Sequence, residues 1–140
     1  MTLVYPALDN RPTILANIEC LLTGKTFIFP MLIDTGSDKT SFPAHVASTF
    51  GHNNHDRRVK KDWCKGVGGK SRSYQHSIQV GLIHPRRQES AIIWRSSIPK
   101  ADFIEQLDCT FGLIGMDIIR QWKSVQIETR RSNLQIVIKI

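Results

Sequence analysis

The run Met31-Leu32-Ile33-Asp34-Thr35-Gly36-Ser37 holds the residues best suited to chemistry. An acidic residue directly after a buried apolar strand is costly unless it is hydrogen-bonded or put to use. Thr35 and Gly36 follow it as a tight turn, with a hydroxyl able to fix the backbone and a glycine that lets another chain come close. The composite is an apolar strand that delivers one carboxyl onto a rigid loop. Two such carboxyls held close together share one proton, because like charges at that distance do not both ionise. The ionised member can take a proton from water while the protonated member polarises a peptide carbonyl. The sequence contains no second Asp-Thr-Gly and no Asp-Ser-Gly. If this chemistry operates, the second carboxyl must be Asp34 of another copy, related by a twofold axis. The plainer alternative is a turn aspartate that caps its own loop.

Other chemistries have less support. Gly66-Val67-Gly68-Gly69 is a mobile glycine-rich segment or an ordinary hairpin; it opens no helix, which argues against a phosphate cradle. The five histidines lack metal-ligand spacing, and His52 and His55, in a polar loop, are expected in solvent. Cys20, Cys64 and Cys109 are odd in number and far apart. They argue against a disulfide framework or a zinc site and for buried or semi-buried thiols in a reducing compartment. No serine has a recognisable His and Asp partner. Trp63, Trp94 and Trp122 are expected in the core or at an interface. Neither a metal nor a cofactor is expected.

The chain has 140 residues, 41% of them hydrophobic, which fits one domain spanning 1–140 with a real core. No apolar run approaches the ~18–20 residues that cross a bilayer. Met1 to Pro6 lacks the pattern of a signal peptide. The expectation is a soluble cytoplasmic protein with no membrane partner. The formal charge of +7 is concentrated in clusters such as Arg57, Arg58, Lys60, Lys61 and Lys65. A basic surface can attract nucleic acid. These clusters sit among turn-like residues with little aromatic interleaving, so a solvated face is preferred and nucleic acid is a disfavoured partner.

The elements that must position Asp34 are mostly short strands. Ile14, Ala16, Ile18, Cys20 and Leu22 alternate on one side of a strand, with Asn17 and Glu19 on the other. Thr23-Gly24-Lys25 is a turn, and Phe27 to Ile33 reads as a strand covered on both faces. Pro30 inside it removes a ladder donor and predicts a bulge or an edge. Pro43 to Phe50 and Asp117 to Trp122 read as short helices. Further strands are predicted at Ile78 to Leu82, Ala91 to Trp94, Phe111 to Ile114, Val125 to Glu128 and Leu134 to Ile140. The fold class is all-β, a small closed β-barrel or sandwich with one or two short helices.

Asp34-Thr35-Gly36-Ser37, Gly66-Val67-Gly68-Gly69 and Phe111-Gly112-Leu113-Ile114-Gly115-Met116-Asp117-Ile118-Ile119 occur in an order and spacing that resemble the retropepsin-like aspartic proteases. The layout is similar to the cellular single-lobe branch typified by the DNA-damage-inducible protein 1 protease domain, over about the last four-fifths of the chain. That resemblance implies a homodimeric aspartic endopeptidase acting on extended polypeptide. It implies that Asp34 is the catalytic carboxyl, that Thr35 locks the two loops across the axis, and that Gly36 turns its amide toward the carboxyl. Ser37 would bond the outer oxygen of Asp34, and Asp38 would line the cleft beside substrate. Val67, Gly68 and Gly69 would sit near the tip of a closing flap, and Leu113, Ile114 and Gly115 would pack beneath the loop. The terminal strands, Leu3 to Tyr5 and Leu134 to Ile140, would be candidates for the dimer interface. Two departures stand out: Met116 occupies a position where many retroviral members have Arg, and the segment Lys65 to Gln75 is basic and polar where a flap is usually apolar. Two rival functions remain, a non-catalytic peptide-binding or dimerisation module and a basic nucleic-acid-binding barrel.

Overall fold

The computed structural model describes residues 1–66, 69–86 and 91–140. The strands in chain order are β1 (Thr2–Pro6), β2 (Thr13–Cys20), β3 (Thr26–Ile33), β4 (Ser41–Pro43), β5 (Lys60–Gly66), β6 (Gly69–Ile83), β7 (Ile92–Ile104), β8 (Gly112–Ile114), β9 (Ser124–Arg130) and β10 (Asn133–Lys139). A 3-10 turn covers Ala44–Val46, and helix α1 covers Met116–Ile119.

The alternation read in β2 is real: Ile14, Ala16 and Ile18 are at most 1% exposed. Asn17, on the opposite side, is also buried at 9%, while Leu22 lies past the strand end and is 69% exposed. Gly24 turns the chain with φ 72°, a conformation open to glycine at no steric cost. β3 then returns antiparallel to β2 from Glu19↔Thr26 to Thr13↔Leu32 without a register shift. Pro30 therefore makes no bulge. β8 joins the other side of β3 only at Met31, so Pro30 lies where that side is still an edge and no ladder donor is needed there. The same edge leaves Ile28 45% exposed, so β3 is covered on both faces only near its end.

Six strands close into a barrel in the order β2, β3, β8, β4, β7, β6, with β6 pairing back onto β2 from Ala16↔Leu82 to Cys20↔Ile78. Closure leaves no free edge in the ring. β5 adds to β6 alone, so the pair from Lys60↔Gln75 to Gly66↔Gly69 projects as an arm from the barrel. β7 is much longer than the predicted Ala91–Trp94 strand. It pairs with β6 along most of its length, with a shift between His76 and Ile78 that leaves Pro99 and Lys100 opposite Ser77. A bulge at that point accommodates Pro99 inside a strand. Both predicted helices are short: the first is the 3-10 turn and the second is the single turn α1.

Phe27, Phe29, Phe42, Phe50 and Phe103 stack with ring centroids 5.0 to 6.1 Å apart and fill one end of the core. Each fully buried large side chain contributes roughly 1.5–3 kcal/mol relative to exposure. Outside the barrel, β1, β10 and β9 form a three-stranded antiparallel sheet. Leu3, Ile136 and Ile138 on it are at most 2% exposed. Tyr5 joins this sheet to the barrel by donating its hydroxyl to Ile83 O at 2.8 Å, and its burial raises the phenol pKa. Trp122, after α1, packs edge-on against Trp94 of β7 at 5.8 Å. No helix among the described residues is long and apolar enough to cross a membrane.

Candidate active site

β3 ends by handing Asp34 to a loop whose backbone is held from two sides. Asp34 N donates to Ile114 O at 2.9 Å, which ties the carboxyl-bearing residue to β8. Gly36 N donates to Asp34 Oδ1 at 3.0 Å, as the Asp-Thr-Gly reading anticipates. Thr35 and Gly36 are exposed at the tip of the loop, and Asp34 is half-buried. The expected bond from Ser37 to Asp34 is not formed. Ser37 Oγ donates to Lys39 O at 2.8 Å and closes its own turn instead.

Behind the loop stands a clamp that motif reading passed over. Thr40 N donates to Asp117 Oδ1 and Oδ2 at 3.0 and 2.9 Å, and Thr40 Oγ1 donates to Asp117 Oδ1 at 2.7 Å. Thr40 Oγ1 in turn accepts from Gly115 N at 3.1 Å. Met116 N and Asp117 N donate to Ser37 O and Asp38 O at 2.8 and 3.1 Å. The start of α1 is thereby fastened to the whole length of the Asp34–Thr40 loop. A Cβ on Gly115 would lie 2.4 Å from Lys39 C, so only glycine permits this approach. The available signal was Asp117 in the first turn of a helix, where a carboxyl meets free amides.

Asp38 is exposed and has no ion-pair partner among the described residues, consistent with Met116 where an arginine could have stood. Gly69 opens β6 with φ 104°, while Val67 and Gly68 lie outside the described residues. Beside the loop lies a cleft of about 370 Å³. Gly36, Ser37, Asp38 and Lys39 form one wall and Trp63, Cys64 and Lys65 of β5 form another. Ser73, Gln75 and Asp102 stand at the back. Trp63 is 59% exposed, not a core residue, and Arg72 lies over its ring at 5.0 Å. Burial is the main cause that raises the Cys64 thiol pKa. All three cysteines are free.

His52 is also not in solvent. It is 7% exposed and stacks on His76 at 4.2 Å, with Cys20 Sγ 3.8 Å from its Nδ1. Desolvation lowers the pKa of both imidazoles, that of His76 to about 4. Among the described residues no group of three or more His, Cys, Asp or Glu side chains is gathered for a metal ion.

A retropepsin-like aspartic protease from Rickettsia conorii superposes on this architecture with a TM-score of 0.64, covering 97% of this chain and 98% of that one at 14% identity. The chain has the retropepsin-like fold. EIAV protease complexed with the inhibitor HBY-793 superposes with a TM-score of 0.52, over 81% of this chain and 89% of that one at 17% identity. No family model matches the sequence and no curated protein matches it. At these identities the likeness to retropepsins is one of fold, and chemistry has to be argued from the site.

Proposed function

We propose that the chain is the subunit of a homodimeric aspartic endopeptidase and that residues 1–140 form its single protease domain. The observation that carries the reading is the Asp34-Thr35-Gly36 loop, clamped behind by Thr40 and Asp117 and opening beside a cleft in a retropepsin-like fold. Asp34 supplies one carboxyl and a second copy supplies the other. The ionised member takes a proton from water, the oxygen attacks the peptide carbonyl, and the protonated member donates to the carbonyl oxygen. Thr35, exposed at the loop tip, contacts the same loop of the second copy. Gly36 orients Asp34, and Ser37 and Asp38 flank the substrate backbone. The β5–β6 arm, with Gly66 and Gly69 at its end, serves as the flap, and closure excludes water. Of the two terminal strands expected at the interface, β1 lies at an edge of the three-stranded sheet and is proposed for subunit contact, whereas β10 lies between β1 and β9 and has no edge to offer among the described residues. The free thiols support a reducing compartment such as the cytoplasm.

A non-catalytic peptide-binding module is the second reading, favoured by the polar arm and by Ser37 bonding Lys39 rather than Asp34. Cleavage of a diverse peptide mixture across about pH 3.5 to 8 decides between them, comparing the wild type with Asp34→Asn. Cleavage by the wild type alone is expected. A folded dimer that cleaves nothing would leave the binding module, and equal cleavage by both proteins would remove Asp34 from the chemistry.

A further inference from the structure

The back of the cleft is built from acceptors. Asp102 lies 7% exposed on β7, directly opposite Gln75 of β6 in the ladder. Ser73, two residues from Gln75 on the same face, donates its hydroxyl to Asp102 Oδ1 at 3.0 Å. Gln75 Oε1 is buried without a hydrogen-bond partner among the described residues. A buried acceptor left so keeps the cost of its lost hydration, which a donor entering the cleft would recover. Among the described residues the other oxygen of Asp102 has only Lys39 Nζ, at 3.9 Å, from a side chain that is 56% exposed. A pair at that distance and exposure is weak. Asp102 is also joined to the candidate catalytic loop, because it pairs in register with Ser41 of β4, immediately after Thr40.

The charge of the cleft runs against that of the molecule. Asp38, Asp62 and Asp102 face Lys39 and Lys65, three carboxyls to two ammonium groups, in a chain of formal charge +7. Lys39 marks where a cation goes: its ammonium already leans toward Asp102 from the cleft mouth.

We propose that this cleft is a side-chain subsite selecting lysine or arginine of the bound peptide, with Asp102 as the specificity-determining carboxyl and Gln75 Oε1 as a second acceptor. The ammonium or guanidinium displaces Lys39, which swings into solvent, and brings several donors to the acceptors at the back. An apolar side chain would leave Gln75 Oε1 unpaired and Asp102 Oδ2 with no closer donor than Lys39, so the site disfavours it. The subsite rests on the endopeptidase reading for its place beside a scissile bond, and not for its ability to bind.

Two measurements on the full chain separate the two ideas. In the first, the wild type, Asp102→Asn and Gln75→Leu digest a peptide mixture and the cut sites are sequenced by mass spectrometry. The expected result is enrichment of Lys and Arg over Leu by about tenfold at one position near the cut. That enrichment should collapse to within about twofold in Asp102→Asn and fall partway in Gln75→Leu. Cleavage without basic preference, or a preference unchanged in Asp102→Asn, overturns the subsite while leaving the protease intact. In the second, fluorescence anisotropy follows otherwise identical labelled peptides carrying lysine or norleucine. Should no cleavage occur, tighter binding of the lysine peptide that is lost in Asp102→Asn supports the subsite alone, and equal binding of both peptides overturns it. Gln75→Leu leaves the buried carboxyl and its Ser73 bond in place, so it tests the acceptor face even if Asp102→Asn folds poorly.

Discussion

Asp117 accepts hydrogen bonds from Thr40 N, Thr40 Oγ1 and Ile118 N, all within 3.0 Å. Hydrogen bonds to a charged acceptor contribute about 1.5–3 kcal/mol each, and donors left buried without a partner cost more than the bond gave. Asp117→Ala should therefore destabilise the fold by roughly 3 kcal/mol or more, read as a lower urea midpoint. Thr40→Val keeps the amide bonds and should cost less, about 1–3 kcal/mol, through the hydroxyl it removes between Asp117 and Gly115. The residue-scale features split by how far apart in sequence they lie. Asp34 and Gly36 were legible because the bond between them spans two positions of one motif. Thr40 and Asp117 lie 77 positions apart, and His52 acquires its buried partners His76 and Phe103 from strands that sequence spacing does not bring together.

At the scale of elements, the strands with clean alternation were legible and β7 was not. Ser96, Ser97 and Lys100, which fall on both faces and break the alternation, and its internal Pro99 hide a strand of 13 residues. The missing signal was the long partner β6, which makes the pairing worthwhile. The β9–β10 turn contains the opposite kind of conflict. Arg131 and Ser132 both adopt positive φ, 48° and 68°, as a two-residue hairpin of this hand demands. Asn and Gly are suited to those two positions, and side chains elsewhere in the left-handed region cost about 1–2 kcal/mol. The double change Arg131→Asn, Ser132→Gly should raise stability by about 1 kcal/mol, seen as a higher melting temperature with the strand register unchanged.

The molecule as a whole combines a closed barrel with an appended sheet. The all-β class was legible from alternation, which left barrel and sandwich open; the closing pairs between β2 and β6 that decide for the barrel were not legible, since closure depends on register and not on any single strand. The buried histidine pair gives the whole fold a pH dependence. Burial, and for His76 also the neighbouring His52, hold both imidazoles below their ordinary pKa of 6.5, His76 at about 4. The unfolded chain thus binds more protons than the folded one in that window. The pair's contribution to stability is complete above pH 6.5 and is lost progressively as pH falls toward about 4. Urea midpoints should fall between pH 7 and 4.5, and His76→Phe should flatten that slope. A shared-proton dyad often functions in the same acidic range. Activity in acid would then be bounded below by the loosening of the fold and not only by the dyad.

The three tryptophans occupy two separate environments. Trp63 stands exposed at the cleft under the Arg72 guanidinium, while Trp94 and Trp122 meet edge-to-face at 5.8 Å, with Trp122 only 6% exposed. The protein is consequently a two-channel reporter of its own state. The solvated indole of Trp63 emits furthest to the red, so the long-wavelength edge of the emission follows occupancy of the cleft. The near-ultraviolet dichroism of the coupled Trp94–Trp122 pair follows the packing between β7 and the segment after α1. Ligand entry and loss of the fold can thus be watched in one cuvette without a label.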